Sequence, residues 1–163
     1  LEMEELPQFG YFKTRKIDKI SNVLSNEDCT LFDVQFSEGE LIAKQVIKMT
    51  MLHIHPQKEV PSFTLDKEGI FEYLYHFAGF KDINIVRHPD FSKRFFLLGK
   101  NEEKIRAFFT DELILFLESN KQYHIEASKV GLLIFSSERL ASVKEMKALA
   151  YFGSSLRKII KKC

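Results

Sequence analysis

The chain has 163 residues, 45% of them aliphatic or aromatic and 29% charged, with a formal net charge of +1. That length suits one domain rather than two independent cores, and the composition is that of an ordinary globular fold. So balanced a charge supplies no overall field for nucleic acid or an anionic membrane, and any such contact rests on a local patch.

Cys29 and Cys163 are too few for a disulfide framework, which points to a reducing compartment. No run of about 18 apolar residues occurs, and the first eight residues are acidic, without the basic-then-apolar form of a secretory signal. Sixteen Phe and no Trp is an unusual aromatic balance. Phe has no polar handle, so this bulk points to packing.

Residues 1–11 read as a lead-in punctuated by Pro7 and Gly10. Ile17, Val23 and Leu24 sit in a first strand that ends at the turn cluster 25–28. Residues 30–37 alternate Phe32, Val34 and Phe36 against Asp33, Gln35 and Ser37, the pattern of a half-buried strand. A turn at Glu38 and Gly39 leads into a long, partly irregular strand over 41–55 that Pro56 ends, and Pro61 precedes a short strand over 62–65.

The period then changes. Asp66 is placed to cap a helix with apolar positions Ile70, Phe71, Leu74, Phe77 and Ala78 and a stop at Gly79. A short strand is expected over 82–86, a loop at Pro89 and Asp90, and a strand over 93–98 before Gly99. Asn101 caps the next helix, whose buried face is Ile105, Phe108 and Phe109, and Thr110 with Asp111 and Glu112 restarts it before 113–117. Residues 123–127 and 130–136 form a hairpin. Ser142 opens a last helix with the stripe Val143, Met146, Leu149, Ala150, Phe152, Leu156, Ile159 and Ile160. Short strand-to-strand connections predict an α+β fold: one mainly antiparallel sheet with about three helices on one face, as a single domain over residues 1–163.

One set of motifs covers most of the chain: Pro61, Phe63 and Leu65; then Asp82, Ile83 and Ile85; then His88, Pro89, Phe91, Ser92, Phe95, Leu97 and Gly99. It continues through Glu102, Ile105, Arg106, Phe108, Phe109 and Thr110, and earlier through Asn22-Val23-Leu24 and Leu31-Phe32-Asp33. In these positions the chain resembles the soluble domain of a group of uncharacterised bacterial membrane-associated proteins. The resemblance implies a cytosol-facing domain at the inner membrane, or a cytoplasmic relative without membrane helices, and it implies no activity and no cofactor.

Five histidines invite a metal reading. His53 and His55 share one face of a strand by their i, i+2 spacing, and His88 is the third candidate of a metal-dependent, hydrolase-like set. The alternative reading leaves His53 and His55 as solvated strand-end residues. It gives His88 and Ser92 to the backbone of the Pro89 loop, with Phe91 as anchor and Arg106 pairing a nearby carboxylate. Ser92 lies in no nucleophile elbow, the acid pairs at 102–103 and 111–112 sit where helix N-termini attract negative charge, and the glycines form no phosphate-cradling loop. Cys29 reads as a small half-buried residue.

Lysines and arginines crowd the last helix at 144, 147, 157, 158, 161 and 162, and again at Lys13, Arg15, Lys16 and Lys19. The first group suits a helix C-terminus and a solvated face; the second suits chain lying close to a bilayer. The expectation is therefore a non-catalytic module acting through a protein partner, self-association or an anionic membrane surface, with no nucleic acid. The rival is the metal-dependent enzyme.

Overall fold

Alternation and turn chemistry organise the chain into one antiparallel sheet. The structure, a computed structural model, describes residues 4–39, 44–67 and 81–163. Its strands are β1 (Lys16–Ser25), β2 (Cys29–Glu38), β3 (Gln45–Ile54), β4 (Phe63–Lys67), β5 (Lys81–Asp82), β6 (Phe95–Gly99), β7 (His124–Ser128) and β8 (Gly131–Phe135). They pair antiparallel throughout, in the spatial order β1-β2-β3-β8-β7-β4-β6-β5. Among the described residues the helices are α1 (Pro89–Arg94), α2 (Glu102–Phe108), α3 (Asp111–Ser119) and α4 (Val143–Ile160). Their buried side chains join Leu52, Ile54, Leu65, Leu97, Ile125 and Ile134 in one core. The fold is α+β with its helices on one face, as the short connections predict.

The opposite face is closed too, which was not anticipated. Phe32, Val34 and Phe36 of β2 pair with Met51, Met49 and Ile47 of β3 and point away from the helices. The described part of the expected lead-in over 1–11, with Phe12, folds into two short 3-10 turns that lay Leu6, Phe9, Tyr11 and Phe12 on this surface. Leu31 and Cys29 are buried on the helix side, so β2 is covered on both faces rather than half-buried. Its polar alternates are absorbed: Asp33 accepts from Thr50 at 2.6 Å and from Asn22 at 2.7 Å.

Further expectations change. β3 pairs with β2 in unbroken register from Gln45 to Ile54, and the irregularity lies in β1 instead. There the register shifts twice, and Asn22 adopts a left-handed backbone with φ 51°. Asp66, expected as a helix cap, belongs to β4 and is buried; the helical pattern at 70–79, with His76, lies outside the described residues.

The segment around Pro89 is helix rather than loop. Proline's fixed φ suits the first helical position, Asp90 favours the first turn, and α1 delays the strand to Phe95. Of the strand expected over 82–86 only Asp82 pairs. Residues 83–86 run as a strut: Ile83 and Ile85 are buried, and Ser92 Oγ accepts from the Ile85 amide at 2.8 Å. Phe91 stacks on Phe95 at 4.8 Å and meets Phe109 at 6.0 Å, while Phe63 lies 5.0 Å from Phe109. Gly99 packs closely: a Cβ there would meet the tip of Ile105 at 2.2 Å and the Ser62 carbonyl at 3.0 Å. Asn101, Thr110 and Ser142 each accept a backbone N–H at the start of their helices, as expected.

Phe91, Phe95 and Phe108 are buried in this core, so alanine at each should cost about 3–5 kcal/mol of unfolding free energy. Urea melts of the three variants check this. A loss under about 1 kcal/mol at all three would place the stretch at the surface.

Candidate functional site

Strand alternation puts His124 and Glu126 of β7 on the face covered by the N-terminal turns, and β4 brings Asp66 beside them. His124 Nε2 lies 3.2 Å from Glu126 Oε1, and its Nδ1 lies 3.5 Å from Asp66 Oδ1. All three side chains are almost fully buried. Burial alone would disfavour the imidazolium, but hydrogen bonds and charge from Asp66 and Glu126 outweigh it, and the His124 pKa is raised to about 9. His124 is therefore a buried cation between two carboxylates. The Tyr11 amide donates to Glu126 at 3.1 Å, the Lys67 amide to Asp66 at 2.7 Å, and the His124 ring stacks on Phe135 at 4.5 Å.

Arg15 completes the cover. Its guanidinium lies 4.1 Å above the Tyr11 ring, donates to the Tyr11 carbonyl at 2.7 Å and pairs with Glu38 at 2.8 Å. The Tyr11 hydroxyl donates to Glu138 at 2.7 Å. Arg15 was grouped with a basic surface patch; with its side chain only 8% exposed, it is a structural residue. Lys16 and Lys19 pair across from Ser37 and Gln35 and so face the helix side, apart from Arg15.

The histidines of the metal reading divide. The rings of His53 and His55 are adjacent, 4.3 Å between centroids, as their spacing predicts. His53 is fully buried rather than solvated, with Nε2 3.0 Å from the Val130 carbonyl. Burial and the neighbouring His55 lower its pKa to about 4. A Cβ on Gly131 (φ +133°) would lie 2.6 Å from His53 Nε2, so glycine admits this packing. His88 sits elsewhere, at the start of α1, 2.9 Å from Asp111. That hydrogen bond and the Arg87 guanidinium hold the Asp111 carboxyl below its ordinary range. Among the described residues no three His, Cys, Asp or Glu side chains are placed to hold a metal ion.

The remaining motif residues serve the fold. Arg106 pairs with Glu102 at 2.6 Å and donates to the Asn84 carbonyl; Asp82 accepts from the Leu97 amide at 3.2 Å. Pro61, Phe63, Pro89, Phe91, Ser92, Gly99 and Phe109 occupy the packing and turn positions of β4, α1, β6 and α2. Burial raises the Cys29 thiol pKa, which argues against a nucleophile.

The open feature lies at one end of the sheet. The loop 55–62, the start of α2 with Lys100 and Asn101 before it, and the turn 128–131 line a trough of about 750 Å³ whose lining includes His55, Lys58, Glu59, Lys100, Lys104 and Lys129. A smaller hollow of about 280 Å³ shares Ser62, Lys100 and Ser128 with it and adds Lys13. Nothing local in the sequence marks this site, because its lysines come from three separate parts of the chain.

Comparison with protein-family models, with curated proteins and with solved structures finds no match to this chain.

The two buried histidines predict opposite pH limbs. His124 holds its proton more tightly when folded, so its contribution is complete below its ordinary pKa of 6.5 and is lost as pH rises through about 9. His53 excludes its proton when folded, so its contribution is complete above 6.5 and is lost as pH falls toward 4. Unfolding free energy should peak near pH 6.5, each histidine adding a slope of at most about 1.4 kcal/mol per pH unit. His124→Gln should flatten the alkaline limb and His53→Gln the acid one. Equal stability of the unaltered protein at pH 6.5 and pH 9 would refute the buried imidazolium.

Proposed function

We propose that the chain is a non-catalytic module, the cytosol-facing domain of a bacterial membrane-associated protein, which works by contact with a protein partner, another copy of itself or an anionic membrane surface. The observation that carries this reading is the use of the chemistry-bearing side chains. His124, Glu126 and Asp66 are sealed beneath Tyr11, Ser92 holds the Ile85 backbone, and Arg106 spans Glu102 and Asn84. Polar groups so engaged support a specific fold more readily than turnover. The motif resemblance supports the membrane setting. No helix among the described residues is long and apolar enough to cross a bilayer.

The metal-dependent hydrolase has one observation in its favour, the contact between His53 and His55. Against it, His53 already faces the Val130 carbonyl and His88 is held by Asp111. Fractionation of cells expressing the complete open reading frame, with an ester and phosphate-ester assay in added zinc, tests the two together. The module should sediment with membranes and show no turnover. A wholly soluble protein with zinc-dependent turnover that His55→Ala abolishes would reverse the assignment.

A further inference from the structure

Arg15, Arg87, Arg106, Arg139, Arg157 and Lys162 each face a carboxylate. Lys58, Lys104 and Lys129 are distinguished by their placement. They make no ion pair among the described residues, and the fold delivers them from the β3–β4 loop, the first turn of α2 and the β7–β8 turn to one concavity, with Lys100 beside them and Glu59 as the acidic residue of the lining. Like charges gathered around a hollow repel one another, and a bound anion relieves that repulsion.

The lining narrows the anion's chemistry. It holds no arginine, the side chain whose planar fork matches a carboxylate; lysines act as point charges suited to phosphate. It holds no Phe, Tyr or Trp on which a nucleobase could stack. At about 750 Å³ the trough has the size of a small-molecule site, well beyond one inorganic phosphate. His55, Ser62 and Ser128 add neutral hydrogen-bonding groups for hydroxyls. Pro56, Pro61 and the tight Gly131 packing fix the walls, so little ordering is needed on binding.

We infer that this trough binds a small organic molecule carrying several phosphate groups, such as a sugar or cyclitol polyphosphate. The same chemistry occurs in a soluble metabolite and in a lipid headgroup. The inference goes beyond the contact function and does not rest on membrane attachment.

Isothermal titration of the intact protein with inorganic tripolyphosphate tests it. Saturable binding that weakens with added salt is expected, and K58Q, K104Q and K129Q should each weaken it about tenfold, the value of a charge-assisted hydrogen bond. A K144Q/K158Q double variant removes two charges, more than any of these single variants, from exposed positions of α4 and should bind as the unaltered protein does. Absent saturable binding, or equal weakening in the α4 variant, would overturn the inference. Phosphatidylcholine vesicles with phosphatidylinositol bisphosphate separate the sources. Capture that tripolyphosphate competes away supports a headgroup, and binding of the soluble probe alone supports a metabolite. Capture that persists in the K58Q/K104Q/K129Q triple variant would remove the trough as the site.

Discussion

One ion cluster governs the second face of the sheet. Asp66 and Glu126 come from adjacent strands, β4 and β7, and both are out of reach of water. Two carboxylates in that position cost several kcal/mol each unless a cation and N–H donors stand with them. The His124 imidazolium and the amides of Tyr11 and Lys67 meet that need. The cluster therefore joins three parts of the chain distant in sequence: the N-terminal turns, β4 and the β7–β8 hairpin. Burial alone would have accepted apolar side chains at these positions. The ionic set accepts one alignment of strands and cover, and is the more specific for it.

What the sequence revealed followed short-range rules. The alternation of Phe32, Val34 and Phe36 and the caps Asn101, Thr110 and Ser142 were legible because their causes lie within a few residues. What it concealed depended on long-range partners. Residues 4–12 are short and irregular, and nothing periodic shows that Phe9 and Tyr11 cover β2, β3 and β8. The alternation of His124 and Glu126 against Ile125 and Ala127 is that of a solvated strand face; only the N-terminal cover buries it. Asp66 has the composition of a cap and the location of a core residue. The helix at Pro89 was hidden because a proline-aspartate pair begins helices and turns alike.

The candidate site divides the same way. The spacing of His53 and His55 foretold their contact, but not the closure that buries His53. The motif from His88 to Phe109 proved to be a packing unit, with Phe91, Phe95 and Phe109 against Phe63 and Arg106 bracing the strut at Asn84. The lysines of the trough carry no linear signature. Their convergence is a product of topology, since β3, β4, β6, β7 and β8 all place loops at that end.

The bulges of β1 have a consequence for how copies of the chain meet. This strand ends the sheet on one side, and a flat, regular edge of ten residues would invite another strand to pair with it. Two register shifts and the left-handed Asn22 break its rhythm of donors and acceptors, and Lys16, Asp18 and Lys19 place charge along it. A neighbouring strand would find no continuous ladder to extend. The border that could seed fibres is thereby blunted, and encounters between molecules are turned toward the loops and helices.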